Sequence, residues 1–200
     1  MTTVGDNEVF DCSRLLMETF VTNIFIFLSL GLVLTEDTCD NQLQCSSNVK
    51  QPERTFLAVK PDAVQRGLVG EIISRLERKG FQMVAMKLVK PDRNLLELHY
   101  DEHREKPFFP FLIDYMESGP VLATVWEGAG VLEGARRLLG ATNPLTAAPG
   151  TIRGDLGLEP GRNLCHASDS SEAARREIKL WFQSDLLAWS PALHNWVHET

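Results

Sequence analysis

The chain has no long block of basic residues and no basic tail. Its 20 lysines and arginines are outnumbered by 27 aspartates and glutamates, so that the formal net charge is −7. Proteins that hold nucleic acid through its phosphates need a concentrated positive surface. The charge pattern therefore argues against nucleic acid as a partner, while it leaves room for a local basic pocket that binds a small anion.

Cysteine is scarce, and no two cysteines have the CxxC spacing of a zinc or redox site. Cys39 and Cys45 would pair only in an oxidising compartment, and Cys165 alone lies in the later part of the chain. No Asn-x-Ser/Thr sequon for N-glycosylation occurs anywhere. These absences argue against a zinc module and a secretory route, and they favour an intracellular protein.

Long hydrophobic runs are absent except for one of 15 residues, from Phe20 to Leu34. A transmembrane helix needs about 20 apolar residues, and extension back to Leu15 includes Glu18, which is costly inside a bilayer. Three interpretations stay open: the core of a signal peptide, a membrane anchor, and a buried helix. The acidic start is unlike a secretory signal or a mitochondrial presequence, and Met17 offers an internal start.

The first 52 residues therefore form an N-terminal extension in our prediction. It contains a hydrophobic anchor or targeting segment at about residues 15–34, followed by a flexible linker rich in Asp, Gln, Ser and Asn. We expect this extension to contact a membrane and the protein to be intracellular. Residues 53–200 differ in composition and are predicted to form the folded domain.

Within residues 53–200, strand and helix patterns follow the order βαβααβαβα. Four strands with helices between them favour an α+β fold: a ferredoxin-like α/β sandwich whose four-stranded antiparallel sheet is covered by helices, all on one face. The last strand is predicted near Leu156–Leu158, where Pro160 and Gly161 end it. The predicted helices are 68–79, 92–100, 109–117, 130–139 and 171–182.

A lone histidine, His166, precedes the last predicted helix, which Asp169 and Glu172 open in a capping-box pattern. The N-terminus of a helix attracts anions, and Arg153 and Asn163 lie nearby in the sequence with suitable donors. These residues would suit a di- or triphosphate if the fold brings them together. The spacing alone also allows scattered surface residues.

The chain from Glu53 onward resembles the nucleoside diphosphate kinases. The matching segments occur in order over about three quarters of the chain, and their combination is specific to the family. They are AVKPDAVQRGLVGEII (58–73), HY and KPFFPFL (within 99–112), YMESGPVLATVWEG (115–128), LLGATNP (138–144), PGTIRGD (149–155), GRNLCHASDS (161–170) and REIKLWF (176–182).

The resemblance implies ping-pong transfer of a γ-phosphoryl group from a nucleoside triphosphate, mainly ATP, to a nucleoside diphosphate. His166 matches the nucleophile, which would form a phosphohistidine, and Glu177 matches the carboxylate that orients it. Tyr100 matches a residue near the γ-phosphate, and Lys60 is the fourth residue implied in catalysis. The positions that match the family's nucleotide contacts are Lys60, Phe108, Arg136, Thr142, Arg153 and Asn163.

The resemblance assigns these contacts to parts of the nucleotide. Lys60, Arg136 and Arg153 match phosphate-binding cations, with Thr142 as a further phosphate donor. Asn163 and Lys60 match ligands of the ribose hydroxyls. Phe108 matches an aromatic residue that stacks on the base, which implies broad base and sugar specificity because any base offers a stacking face. Mg²⁺ would be carried by the phosphates, with no protein metal ligand.

The resemblance also implies a homo-hexamer, and hydrophobic extensions occur in family members at intracellular membranes such as the mitochondrial outer membrane. A membrane-tethered oligomeric scaffold with weak or no kinase activity is the alternative. The chain departs from the family at Ala63 and Ala167, where glycine is usual, and at Gly157 and Pro160, which would interrupt the last strand. The histidines without comparable context, read as surface or packing residues, are His99, His103, His194 and His198.

Overall fold

A computed structural model of the protein describes residues 52–197. The segment at 15–34, in which an anchor is predicted, lies outside the described residues. Among residues 52–197, no helix has both the length and the apolar character needed to cross a membrane.

Four strands form one antiparallel sheet in the order β2-β3-β1-β4. This sheet and its helices confirm the predicted ferredoxin-like α+β fold. The strands are β1 (Arg54–Val59), β2 (Gln82–Val89), β3 (Val121–Glu127) and β4 (Cys165–Ala167).

The helices lie between the strands and after them. Five of them end within a residue or so of the predicted ranges, whereas three short helices are not predicted from the sequence. They are α1 (Pro61–Gln65), α2 (Val69–Arg78), α3 (Arg93–His99), α4 (Phe109–Glu117), α5 (Val131–Leu139), α6 (Ile152–Leu156), α7 (Ser171–Phe182) and α8 (His194–Val197). Two short 3₁₀ turns lie at Asp101–His103 and Pro144–Thr146.

Helices cover both faces of the sheet, which corrects the prediction of one covered face. Phe56 and Ala58 of β1 belong to one hydrophobic core, which includes residues of α3, α4 and α7. Leu57 and Val59 belong to a second core with residues of α2, α5 and α6. The physical reason is visible in the sequence RTFLAV, because an uninterrupted apolar run is typical of a strand buried on both faces.

The prediction of a last strand at Leu156–Leu158 is wrong. Residues Ile152–Leu156 form α6, whose first turn is stabilised because the backbone N–H of Gly154 donates to the Thr151 hydroxyl at 3.0 Å. The last strand is instead β4, which pairs with β1 over only three residues. Short pairing leaves too little alternation for a sequence pattern to reveal.

The four departures from the family pattern therefore have milder consequences than the sequence suggests. Gly157 and Pro160 lie in the loop after α6, so that neither interrupts a strand. Ala63 lies inside α1 and Ala167 in β4, and neither has a positive φ. The strain of an L-residue in the left-handed region consequently does not arise at either alanine.

Candidate active site

His166 is the middle residue of β4, where it pairs with Ala58 of the central strand. Its Nε2 atom lies 2.9 Å from Oε1 of Glu177, which is on α7. The His166 side chain is 24% exposed, whereas that of Glu177 is 3% exposed. The imidazole thus has one nitrogen fixed against a buried carboxylate while part of its ring faces the outside.

Ser168 holds the other side of the same carboxylate. Its hydroxyl donates to Oε2 of Glu177 at 2.6 Å and accepts a hydrogen bond from the backbone N–H of Phe56 at 3.2 Å. With Glu177 ionised, Nε2 of His166 carries the proton that bridges the pair, and Nδ1 keeps its lone pair. The arrangement therefore leaves Nδ1 as the nitrogen able to act as a nucleophile.

The helix behind this pair begins one residue later than the capping-box pattern suggests. Ser170, and not Asp169, is the N-cap of α7, because its hydroxyl accepts from the backbone N–H of Ala173 at 3.1 Å. Asp169 is consequently left at the rim of the adjacent cavity.

Tyr100 and His99 pack beside His166. The ring centroid of Tyr100 lies 5.9 Å from that of His166, and the centroid of His99 lies 4.7 Å from it. Burial raises the pKa of Tyr100 well above its ordinary value, so its hydroxyl is neutral and able to donate. His99, which the sequence predicts to be a surface or packing residue, is buried and packs against the candidate nucleophile.

Lys60, Asn163 and Thr142 form a hydrogen-bonded chain at the end of β1. Nζ of Lys60 donates to Oδ1 of Asn163 at 2.8 Å, and the Asn163 amide donates to the Thr142 backbone carbonyl at 3.1 Å. Burial, followed by repulsion from Arg153, lowers the pKa of Lys60 to about 8. A buried ammonium with only a neutral oxygen as partner is poised to bind an anion.

Arg153, in α6, is held by three backbone carbonyls. It donates to the carbonyls of Asn163 at 3.1 Å, Gly140 at 2.9 Å and Cys165 at 2.7 Å. Burial lowers the pKa of its guanidinium from the usual value. Because its partners are uncharged, the positive charge is not cancelled and remains available to the cavity beside it.

Arg136 and Arg137 are neighbours in α5 with different surroundings. Arg136 lines the cavity that also contains Lys60 and Arg153. Arg137 is 77% exposed and forms an ion pair with Glu133. The geometry thus brings Arg136, and not Arg137, to the other two cations.

The backbone between Asn163 and His166 is strained. Leu164 has φ 72°, which is the left-handed region that non-glycine residues rarely adopt. Its carbonyl accepts from the Lys60 N–H at 2.8 Å, and its N–H donates to Oδ2 of Asp62 at 3.2 Å. These two bonds hold a turn that directs residues 163 and 166 toward the same cavity.

Asp62 and Tyr115 support this turn and were missed by the sequence analysis. The Tyr115 hydroxyl donates to Oδ1 of Asp62 at 2.5 Å, and the guanidinium carbon of Arg162 lies 3.8 Å from the centroid of the Tyr115 ring. Asp62 lies in the quoted KPDAVQR segment and Tyr115 in YMESGP, but no local pattern indicates that they meet.

The cavity has a volume of about 720 Å³. One end is basic, with Lys60, Arg136 and Arg153 near His166, and the other is apolar. Phe108, which is 51% exposed, lies at the apolar end with Phe111 and Leu112. The sequence-predicted residues that line it are Lys60, Tyr100, Phe108, Arg136, Thr142, Arg153, Asn163 and His166, with Glu177 directly behind His166.

Comparison with known proteins agrees with this geometry. The model of the family described as nucleoside diphosphate kinase matches residues 53–187. The chain belongs to the nucleoside diphosphate kinase family. A nucleoside diphosphate kinase from Acaryochloris marina is 63% identical over 148 residues, which is 74% of this chain and 99% of that protein. The Saccharomyces cerevisiae protein of the same name is 59% identical over 150 residues, covering 74% of this chain and 98% of its own.

A solved structure also matches. It is a halophilic nucleoside diphosphate kinase from Halobacterium salinarum in complex with CDP, with a TM-score of 0.72 and 50% identity over 74% of this chain and 99% of that chain. The chain is thus an enzyme of the nucleoside diphosphate kinase type. The alternative of a scaffold with little or no kinase activity has no support in these relatives.

Proposed function

We propose that the protein transfers a phosphoryl group between nucleotides through a phosphohistidine at Nδ1 of His166. The lone pair of Nδ1 forms a bond to the γ-phosphorus of a nucleoside triphosphate, mainly ATP, while the bond from that phosphorus to the bridging oxygen breaks. The nucleoside diphosphate leaves with that oxygen. A second nucleoside diphosphate then takes the phosphoryl group from His166, which regenerates the free imidazole and gives ping-pong kinetics.

The observation that carries this proposal is the contact between His166 Nε2 and Glu177 Oε1 at 2.9 Å. It fixes the proton on Nε2 and frees Nδ1, and the buried carboxylate stabilises the positive charge that the ring acquires when Nδ1 forms a bond to phosphorus. Glu177 does for this imidazole what a buried carboxylate does for other catalytic histidines: it sets the tautomer and the orientation.

The basic end of the cavity suits the phosphates. Phosphoryl transfer is accelerated mainly by positioning and by charge neutralisation, and Lys60, Arg136 and Arg153 supply three cations beside His166. In the part of the chain that the structure describes, Lys60 and Arg153 have only neutral oxygens as hydrogen-bond partners, so no carboxylate there neutralises their charge through a hydrogen bond. Thr142 and the neutral hydroxyl of Tyr100 add donors for the transferred group.

The apolar end suits the nucleoside. We assign the Asn163 amide and Lys60 to the ribose hydroxyls and Phe108 to stacking on the base. A half-exposed aromatic ring at the mouth of the cavity offers a face to any base and does not read its edges. Broad acceptance of purine and pyrimidine, ribose and deoxyribose nucleotides follows from this arrangement.

Mg²⁺ is proposed to enter with the nucleotide. Among the described residues that line the cavity there is a single carboxylate, Asp169, which is too few for a protein cage of oxygen ligands. This donor set fits an ion held by phosphate oxygens and water, which would neutralise phosphate charge when bound. The protein's own residues then bind the phosphates and hold the nucleophile.

We also propose a homo-hexamer with residues 15–34 contacting an intracellular membrane, such as the mitochondrial outer membrane. The resemblance supports the hexamer, and the 15-residue apolar run supports the membrane contact. Light scattering on the purified full chain tests the first, and membrane flotation of the full chain against residues 53–200 alone tests the second. A monomer, or equal flotation of both, would reject the respective proposal.

Intact-protein mass spectrometry after brief mixing with Mg-ATP tests the chemistry. We expect a phosphoryl adduct in the wild type that is acid-labile and is discharged when a nucleoside diphosphate is added. His166→Ala should give no adduct. His103→Ala is the matched control, since His103 also lines the cavity, and it should retain the adduct. A folded wild type without an adduct would refute the proposed function.

A further inference from the structure

Two imidazoles, that of the buried His99 and that of the partly exposed His166, lie against one carboxylate oxygen. Nδ1 of His99 lies 4.0 Å from Oε1 of Glu177, the same oxygen that Nε2 of His166 contacts at 2.9 Å. The two imidazole rings meet in a T-shaped arrangement, with centroids 4.7 Å apart and an interplanar angle of 79°. A proton on Nδ1 of His99 would make His99 a competitor for the oxygen that orients His166.

Trp181 prevents this competition in the structure. Its indole Nε1–H donates to Nδ1 of His99 at 3.2 Å. A ring nitrogen that accepts a hydrogen bond carries no proton, so a neutral His99 has its proton on Nε2. Within residues 52–197, Nε2 of His99 is one of two buried side-chain polar atoms with no hydrogen-bond partner. Among the described residues, the hydrogen bond from Trp181 is therefore what decides which ring nitrogen of His99 carries the proton.

The surroundings of His99 also oppose a positive charge. Aromatic rings of Phe56, Tyr100 and Trp181 surround it, with centroids 5.5, 4.5 and 5.6 Å away. Burial, followed by repulsion from His166, lowers the pKa of His99 well below its ordinary value. The titratable and charged groups that face it from the neighbouring elements are Lys60, Tyr100, His103, His166, Arg176 and Glu177.

We propose that His99 is a positioning residue for phosphoryl transfer, held by the Trp181 N–H in its Nε2–H tautomer so that Oε1 of Glu177 remains available to His166. The inference rests on the proposed function of His166. It adds a residue behind the nucleophile: Glu177 orients His166, and the Trp181–His99 hydrogen bond keeps His99 from competing for Oε1 of Glu177. Neither Trp181 nor His99 needs to touch the nucleotide.

Removal of the indole N–H should make the enzyme sensitive to acid. In Trp181→Phe, Nδ1 of His99 is free to take a proton as the pH falls and to turn toward Oε1 of Glu177. The acid limb of the kcat/KM profile should then shift to higher pH by about one unit, which means about a ten-fold lower kcat/KM at a given acid pH. Activity near the alkaline end of the profile should fall much less.

Trp126→Phe is the matched control. Trp126 is fully buried in the other core, and its Nε1–H donates to the Thr124 hydroxyl at 2.8 Å. The substitution removes the same atoms and the same kind of hydrogen bond, so it reports the cost to stability alone. Its pH profile should match that of the wild type, even where its melting temperature falls.

A double variant assigns the effect to His99. In Trp181→Phe/His99→Phe no titratable ring remains at position 99, so the acid limb should return to its wild-type position. The proposal is overturned if folded Trp181→Phe keeps the wild-type limb, or if the shift persists in the double variant. A folded wild type that forms no phosphohistidine would instead contradict the proposed function of His166.

One measurement needs no variant and no activity. In ¹⁵N spectra of the wild-type imidazoles, His99 should stay neutral with its proton on Nε2 between about pH 5 and 9, since an undisturbed histidine changes charge near pH 6.5. Observation of a proton on Nδ1 of His99 in that range would overturn the proposal, whatever the kinetics of the variants.

Discussion

Nε2 of His166 and Oε1 of Glu177 lie 2.9 Å apart, although the two residues are 11 positions apart in the chain. The contact exists because β4 is short and α7 folds back across the sheet immediately after it. The carboxylate is almost fully buried and has the Ser168 hydroxyl on its other oxygen. Because the carboxylate is buried and each of its oxygens has a hydrogen-bond partner, it has little freedom to turn away from the imidazole.

Glu177→Gln should slow formation of the phosphohistidine. The amide keeps the shape of the side chain and an oxygen for Nε2 of His166, but it removes the negative charge that stabilises the ring as Nδ1 forms a bond to phosphorus. We expect a fall of about 100-fold in the single-turnover rate, with little change in nucleotide affinity. Rapid-quench measurement of the phosphorylated enzyme gives both values.

Glu172→Gln is the control for that substitution. Glu172 lies on the same helix, exposed and paired with Arg175, so its loss changes the net charge equally without touching the site. It should react at the wild-type rate. Equal rates for Glu177→Gln and the wild type would show that the charge of Glu177 does not assist the nucleophile.

Ser168→Ala should destabilise the fold as well as the site. The fully buried hydroxyl binds both the Glu177 carboxylate and the backbone N–H of Phe56, and its removal leaves two buried groups without that partner. We expect a loss of about 1–3 kcal/mol in the free energy of unfolding, measured by denaturant titration. Ser118→Ala, which removes an exposed hydroxyl bonded to the Tyr115 carbonyl, should cost much less; equal losses would contradict the argument.

The elements that the sequence predicts well are those with a repeating pattern. Helices α2, α4, α5 and α7 each have apolar residues at helical spacing, and their observed ends lie within a residue or two of the predicted ones. Strand β4 is missed because three residues hold no period. The apolar run of β1 is consistent with burial on both faces, but the helices that cover those faces come from remote parts of the sequence. Local patterns do not encode which helix covers which face.

The site divides in the same way. Motif resemblance names the residues that line the cavity, and the structure brings them together. Motif resemblance does not reveal the left-handed turn at Leu164, the Asp62–Tyr115 hydrogen bond that supports this turn, or the Trp181–His99 hydrogen bond. Each of these features depends on contacts between residues 50 or more positions apart, or on a backbone conformation that leucine rarely adopts.

Nucleotide binding should weaken as the pH rises through about 8. Burial lowers the pKa of Lys60 to about 8, so the free enzyme loses this cation above that pH while the phosphates need it charged. The KM for a nucleoside diphosphate should rise on the alkaline side, about ten-fold per pH unit at the steepest. In Lys60→Arg the guanidinium stays charged, so this alkaline limb should disappear; a limb that persists would point to another group.

Phe108→Ala should raise the KM of every nucleotide to a similar extent. Loss of a stacking face costs about 1–3 kcal/mol per base, and the same loss is expected for purines and pyrimidines because the ring reads no base edge. The rate of phosphoryl transfer at saturation should change little. Leu145→Ala, an exposed apolar residue that does not line the cavity, is the control. A loss confined to one base would contradict simple stacking.

The fold should lose stability as the pH falls below about 6.5. Burial holds the pKa of His99 well below that of an unfolded histidine, so in acid the unfolded chain binds a proton that the folded protein does not. The free energy of unfolding should therefore fall with decreasing pH, by up to about 1.4 kcal/mol per pH unit from this residue, until the folded protein takes the proton as well. His99→Phe should lower stability at neutral pH, since the Trp181 N–H loses its acceptor, but flatten the slope. Denaturant titrations at several pH values measure that slope, and an unchanged slope in His99→Phe would assign the acid sensitivity to other groups.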